Sequence, residues 1–586
     1  MSINVRLSTF LTTSSDDPAA PYIACDPITD IGSTHALSLA KALIDECVHG
    51  HERCKHISPS SDVRLPTRLL DCTDLAFPCL VSTEGQDGIY VALSYVWGEA
   101  QPHKTTNSNK SIYSAGIDAS LLPQTIRDAI YVAHTLGFRY LWVDSLCIIQ
   151  DSDEDKLHEI GRMHLIYRHA YLTIIAASAE RASDGFLQDR PTPRCIGTLP
   201  FICPPHRPIP GDESSRGKQH MAVGEVHLFD AWSYQGSQAL EEPVDRRAWC
   251  LQELLMSTRA LIFESRTLWF RCPKTYQNVN NSLEGKYDEV RLPDIALRPE
   301  PPLIRSGSIG NHYTSWMLLV WEYSNRTIGK ASDKLVACGA LAEAFHRILG
   351  CDYLAGSWRD TLLQDLLWHT LPHSGKSGYH FNTNRPLEYR APSWSWAAVD
   401  GCICHITIRS YDHSDVVRTQ VMRCHVTLKD PELPFGEVTG GSLVLRAKLI
   451  PCKVRRTDTW EWGAEILLPP LLCGRRSGGL HQVDEDVTIA EDENCRLAFC
   501  YVDHLPDLLN KRESAWLLPV WWQDRDRFVR EEVSGLILTL ANLDSGTGAQ
   551  NGKVYRRIGA FKSICHDWAH LRRLHALEEE EEVEIV

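Results

Sequence analysis

Leu141-Trp142-Val143-Asp144-Ser145-Leu146-Cys147-Ile148-Ile149 is an almost unbroken apolar run with one carboxylate inside it. Together with Tyr140 it reads as a strand covered on both faces, as strands of a parallel sheet are. Asp144 interrupts the run. Upstream, Tyr90-Val91-Ala92-Leu93-Ser94-Tyr95-Val96 is a second β-rich run, closed by Trp97-Gly98. Between the two, Pro123 can open a helix in which Ile126, Ala129, Ile130 and Ala133 recur at helical spacing, with Gly137 placed to end it. Downstream, Leu157, Ile160, Met163, Tyr167 and Ala170 form another helical stripe, and Tyr171 to Ala177 a third strand. Strand, helix, strand, helix, strand predicts an α/β fold with a parallel sheet and right-handed crossovers.

Further along, residues 189 to 245 hold many Pro, Gly and Ser and read as a long insertion. After it, Ala248 to Met256 reads as a helix, and Arg259 to Phe263 and Thr267 to Arg271 as strands that close the domain. The expected organisation is an N-terminal region over 1–85, the α/β domain over 86–275, a helical connector over 310–370, a β-rich C-terminal region over 391–565 and an acidic tail over 576–586. In the connector, Leu335, Leu341, Ala342, Phe345 and Leu349 mark the apolar positions. Leu443 to Leu445 and Leu536 to Leu540 mark strands of the β-rich part.

With 586 residues, the chain predicts three or four structural units, and 43% hydrophobic with 23% charged residues is a globular composition. A formal net charge of -15 argues against general affinity for nucleic acid, whose partners are normally basic. Part of that charge lies in Glu578 to Glu582 and Glu584, read as a solvated, frayed end. Neither a run of 18 apolar residues nor a secretory start is present, which predicts a cytoplasmic protein with no membrane span. Twenty cysteines without regular spacing read as reduced, mostly buried thiols. Cys47, His51 and Cys54 have ligand-like spacing. Three ligands with no evident fourth favour packing, so neither a metal nor a cofactor is expected.

Several catalytic signatures fail. Gly375-Lys376-Ser377 resembles the end of a phosphate-binding loop but has Thr370 where its first glycine belongs. His158-Glu159 with His164 is not a zinc-protease helix, because six residues turn the second histidine about 240° round the axis. Nucleophile-elbow and dinucleotide-binding glycine patterns are absent too.

Leu93-Ser94-Tyr95-Val96-Trp97-Gly98, Leu141 to Asp151, Met163 with Ile166-Tyr167 and Ala170, and Arg247-Ala248-Trp249-Cys250-Leu251-Gln252-Glu253-Leu254-Leu255 resemble, in this order, segments of the fungal heterokaryon-incompatibility (HET) family. The resemblance continues through Asp333-Lys334-Leu335, Tyr353 to Gly356 with Trp358, Ala391 to Trp396, and Arg557-Ile558-Gly559-Ala560-Phe561, which look like segments of long members. It implies a role in fungal non-self recognition and regulated cell death. HET domains also resemble, more distantly, Toll/interleukin-1 receptor (TIR) domains, some of which cleave NAD with one glutamate. That implies a TIR-like parallel sheet flanked by helices. Trp249-Cys250-x-x-Glu253-Leu254 is similar to the TIR glutamate helix, and Leu93-Ser94-Tyr95 to its first strand.

If that similarity extends to chemistry, Glu253 is the catalytic residue of an NAD glycohydrolase. It would bind the ribose hydroxyls and stabilise positive charge on the sugar as nicotinamide leaves. Ser94, Tyr95, Trp97 and Asp144 would shape the substrate pocket at the strand ends. Against this stand blander roles. Glu253 can be solvated or paired with Arg246, Arg247 or Arg259. Asp144 can cap or pair, Trp97 and Trp142 can be core, and Cys147 is a nucleophile only beside a histidine or a cation. Two competing functions remain: a non-catalytic module that self-associates or recruits protein partners, and a specialised accessory role.

Overall fold

The computed structural model describes residues 9–57, 63–192, 194–204, 222–230, 242–280, 290–298, 309–371, 373–375, 378–380, 384–406, 415–417, 419–456, 464–468, 499–503, 514–523, 532–541, 553–564 and 568–586. They divide into two compact units, Met1–Pro301 and Pro302–Val586, where chain length alone suggested three or four. The N-terminal region folds with the α/β domain, and the connector with the β-rich region.

The first unit is built on eight strands: β1 (Arg68–Asp71), β2 (Cys79–Ser82), β3 (Val91–Ser94), β4 (Tyr140–Trp142), β5 (Leu172–Ile175), β6 (Ala260–Phe263), β7 (Leu268–Arg271) and β8 (Tyr276–Asn278). Their order across the sheet is β8-β7-β6-β5-β3-β4-β1-β2. The central four, β6, β5, β3 and β4, run parallel, while β1, β2, β7 and β8 join antiparallel at the two sides. Every residue of β3, β5 and β6 is buried, as a sheet covered on both faces requires.

Among the helices of this unit are α1 (Thr34–Gly50), α2 (Glu52–Ile57), α3 (Gln124–Leu136), α4 (Asp153–His169) and α5 (Ala248–Met256). The α3 helix runs between β3 and β4 and is amphipathic as its spacing predicts, with Ile126, Ala129, Ile130 and Ala133 all in the core. Gly137 ends it in the left-handed region at φ 89°, and its N–H bonds back to Ala133 and His134.

Two expectations for this unit are corrected. The apolar run from Tyr140 is not one strand: it leaves the sheet after Trp142 and forms a helical turn, Asp144–Cys147. Asp144 Oδ1 accepts from the Ser145 N–H at 2.6 Å, and the Leu146 and Cys147 N–H groups turn back to Val143 O. A side chain that satisfies backbone locally competes with the ladder, and apolarity alone cannot distinguish a buried turn from a buried strand. In α4, Leu157 is 60% and Ile160 36% exposed. The buried positions are Glu159, Met163, Ile166, Tyr167 and Arg168, because Arg68 draws Asp155 and Glu159 inward at 2.5 and 3.7 Å. The region read as an insertion contributes two antiparallel strands, Cys195–Ile202 and Val223–Asp230, and the second pairs with Thr9–Thr12.

In the second unit, two helices, Ile309–Ser324 and Gly339–Leu349, supply the connector. It also holds short strands, Tyr353–Leu354, Ser357–Trp358 and Trp368–Leu371. Lys376 and Ser377 lie outside the described residues. The tryptophan-rich segments converge on one turn: Gly356, at φ 104°, accepts from Trp396 Nε1 at 2.9 Å and Trp316 Nε1 at 3.3 Å. The β-rich region forms a ten-stranded sheet containing Val438–Ala447 and Glu532–Leu540. Arg557 and Asp503 pair at 3.0 Å with neither side chain exposed.

The acidic tail is corrected as well. Glu581–Ile585 is a strand, antiparallel to Val438–Ala447 and parallel to Val554–Ile564. Val583 and Ile585 are fully buried and alternate with the glutamates, so two apolar residues at period two outweigh the charge run. Among the described residues no helix is long and apolar enough to cross a membrane.

Candidate active site

Across the sheet the parallel strands lie in the order β4-β3-β5-β6, so the chain goes from β3 to β4 on one side and crosses back to β5 on the other. In open α/β sheets such a reversal opens a crevice at the carboxyl ends of the strands, where ligands bind. Ser94 is the last residue of β3 and Ile175 the last of β5, and the two are register partners. The site therefore begins at Ser94.

Beyond Ser94 the chain turns through Tyr95, Val96 and Trp97 to Gly98. At φ 62°, a Cβ on Gly98 would lie 2.2 Å from Glu180 O, so only glycine permits this approach. Trp97 O accepts the Ala182 N–H at 3.0 Å, which fixes the turn. The indole thereby reaches Asp144, with Trp97 Nε1 donating to Oδ2 at 2.8 Å. Tyr95 OH donates to Ser145 Oγ at 2.9 Å, tying the same strand end to the turn that carries Asp144. Asp144 keeps some exposed surface but sits deep among protein atoms. Burial pushes its carboxyl above the ordinary range, against donations from Trp97 and the Ser145 N–H.

Glu253 comes from α5, between β5 and β6. The Ala248–Met256 stretch is apolar almost all round, and seven of its nine residues are buried, Glu253 among them at 7% exposure. Burial pushes its carboxyl up to about 7, and the Asp144 charge adds to the rise. Proximity to the Ser94 hydroxyl, the Arg247 charge and Tyr167 opposes it. Ser94 lies close enough to lower the carboxyl's pKa. Even so, neither Ser94 Oγ nor Glu253 Oε2 has a hydrogen-bond partner, and both are buried. The two groups lie close together without a formed bond. Buried polar atoms normally have partners, and this pair at a strand terminus has none.

Of the cations weighed against Glu253, Arg259 lies over the Tyr171 ring at 4.7 Å and Arg246 approaches Glu180 at 4.0 Å. Among the described residues no ion pair reaches Glu253. Glu253, Ser94 and Asp144 thus share one neighbourhood, with Tyr95 and Trp97 holding Asp144 in place. Trp142 is fully buried core, packed edge-on against Tyr167 at 5.6 Å. Cys147 is excluded as a nucleophile: it is buried, it accepts the Val143 N–H at 3.4 Å, and burial pushes its thiol up to about 12.

Sequence reasoning did not assign site roles to Tyr167 or Gln252. Tyr167 donates to Leu93 O at 2.9 Å beneath the site, and Gln252 Oε1 is another buried atom without a partner. Tyr167 was legible as an apolar position of a helix and as part of the resembling Ile166-Tyr167 segment.

Fold and site together define an α/β domain with a carboxylate-centred site at its strand termini. Residues 90–253 match the family model described as heterokaryon incompatibility protein (HET), and they form a HET domain. The chain is also similar to heterokaryon incompatibility protein 6, OR allele, of Neurospora crassa, at 27% identity over 129 residues. That match covers 20% of this chain and 19% of the relative, so it spans about a fifth of the relative's length. No solved structure matches the chain.

Proposed function

We propose that this chain is an incompatibility-type effector of fungal non-self recognition and regulated cell death, and that its HET domain hydrolyses NAD at Glu253. The observation that carries the reading is the buried Glu253 carboxyl opposite the unpartnered Ser94 hydroxyl, at the switch point of a parallel sheet. The 2-1-3-4 order of the parallel strands supports the TIR-like comparison, which rests otherwise on the Trp249 to Leu254 segment.

In the proposed reaction, the ribose hydroxyls of NAD bond to Glu253 and Ser94. The bond from ribose C1′ to the nicotinamide nitrogen breaks, and its electron pair leaves with nicotinamide. Because that leaving group is already cationic in the substrate, no general acid is needed. Glu253 carboxylate stabilises the oxocarbenium, water adds at C1′, and a proton is released with ADP-ribose. Asp144, held by Trp97 and Ser145, adds negative potential. The cationic substrate favours the ionised form of Glu253, offsetting the burial that raises its pKa.

A specific observation favours a second reading, a non-catalytic association module. Leu157, Ile160 and Leu165 are exposed along α4, an apolar face on the HET domain itself that would suit a second copy of this chain. The two readings separate on one experiment: NAD in lysates expressing the full chain, beside Glu253→Gln with its folding verified. Rapid NAD loss abolished by the substitution supports hydrolysis. Toxicity that persists without NAD loss sinks it and leaves association.

A further inference from the structure

Cys47 lies near the end of α1, His51 at the junction with α2, Cys54 in α2 and Cys272 directly after β7. Each is buried, at 0%, 4%, 2% and 1% exposure. Their ligand atoms all lie within 4.8 Å of one another. Cys54 Sγ is 3.6 Å from Cys272 Sγ, and His51 Nδ1 is 3.5 Å from Cys272 Sγ and 3.7 Å from Cys54 Sγ. A tetrahedron with metal–sulfur bonds of about 2.3 Å and a metal–nitrogen bond of about 2.0 Å has edges of roughly 3.8 Å (S–S) and 3.5 Å (S–N). The three edges among His51, Cys54 and Cys272 fit it, and Cys47 Sγ lies within 4.8 Å of all three.

The surroundings suit a cation. His51 turns Nδ1 toward the thiols while Nε2 faces Glu46 Oε1 at 3.3 Å, as a ligating histidine oriented by an outer carboxylate does. The Thr275 N–H donates to Cys272 Sγ at 3.4 Å, a bond that favours thiolate. All four cysteine and histidine positions are supplied by protein, and the cysteines are free.

We propose that Cys47, His51, Cys54 and Cys272 bind one zinc ion in a closed, structural Cys3His site. Three thiolates and an imidazole in tetrahedral array select zinc over the oxygen-seeking magnesium and calcium. With no position open to water, the ion has no catalytic role. It pins the α1–α2 corner to the end of β7, across 218 residues between Cys54 and Cys272. The neighbouring Arg271 donates to Leu254 O at 3.2 Å, so the pinned strand in turn holds the end of the helix that carries Glu253.

The test is metal analysis of the purified full chain, with cobalt(II) exchange as an independent readout. About one zinc per chain is expected, and the cobalt form should show sulfur-to-cobalt charge transfer for three thiolates with tetrahedral ligand-field bands. Cys272→Ser should lose the zinc, whereas Cys195→Ser, an exposed cysteine elsewhere, should keep it. Folded full chain holding less than about a tenth of an equivalent, without the cobalt bands, overturns the proposal, as does full zinc retention in Cys272→Ser. If that variant fails to fold, the cobalt spectrum of the unsubstituted chain decides.

Discussion

Two buried polar clusters sit in the same unit, and they differ in how their atoms are satisfied. Around Cys272 the three thiols and the imidazole lie within 4.8 Å of one another, with outer partners at Glu46 and Thr275. Around Glu253 the opposite holds: Glu253 Oε2 and Ser94 Oγ are buried without partners. A mutually satisfied cluster closed by protein ligands stabilises a fold, whereas orphaned atoms at strand termini cost stability and are kept for a ligand. The first cluster should therefore be intolerant of substitution, and the second should be improved by it in stability while losing function.

The largest effect is expected at the first cluster. Cys272→Ser removes a ligand that ties together segments far apart in sequence, and it leaves the remaining thiolates without their cation. Structural zinc contributes most of the folding energy in small domains. In a unit with its own large core we expect a loss of about 4 kcal/mol, seen as a fall of roughly 10 °C in the first unit's melting temperature. Chelator treatment of the unsubstituted chain should give a similar fall. Melting unchanged by both would place this cluster among ordinary buried thiols.

At the second cluster the sign reverses. A carboxyl raised from the usual 4.5 to about 7 on folding binds its proton more tightly in the native state. Stability is then greatest below the unfolded pKa, falls as pH rises from about 4.5 to 7, and stays reduced above that window. The penalty is about 3 kcal/mol. Glu253→Gln should remove it, so the variant melts higher at pH 8 and near the parent value at pH 4.5, while NAD loss falls at least 100-fold. For the same reason NAD cleavage by the parent, read as kcat/KM, should rise with pH through about 7 as the carboxylate forms. A stability difference independent of pH would mean that Glu253 does not titrate in this range.

How much of this the sequence disclosed follows from range. Elements set by local period were readable: α3 with its Gly137 stop, α5, and the parallel order from β3 to β5. Long-range decisions were not. Cys47, His51 and Cys54 fall within eight residues, but their fourth partner lies 218 residues beyond Cys54, and spacing says nothing about it. The inward turn of Glu159 depends on Arg68, far back in the chain. Glu581–Ile585 looked like a charge run because pairing with Val438–Ala447, which buries Val583 and Ile585, is invisible locally. For the site, the residue types were legible from resemblance to the HET family, but the burial that raises Glu253 and orphans Ser94 was not.

The smallest effect should come from Trp97, which separates positioning from catalysis within the second cluster. Its indole N–H donates to Asp144 Oδ2 at 2.8 Å, and Asp144 Oδ1 is held by the Ser145 N–H. Trp97→Phe keeps the ring's apolar contacts and deletes one donor to a carboxylate that still has some exposed surface, so water replaces part of the bond. The expected cost is about 1.5 kcal/mol. Because the indole bond is the strongest influence holding the Asp144 carboxyl down against burial, its loss should push that carboxyl higher and weaken the negative potential beside Glu253. NAD turnover should then fall by about tenfold at neutral pH and recover as pH is raised. A loss as deep as that of Glu253→Gln, without recovery, would make Trp97 part of the substrate contact, whereas a stability loss with turnover intact would confine it to the fold.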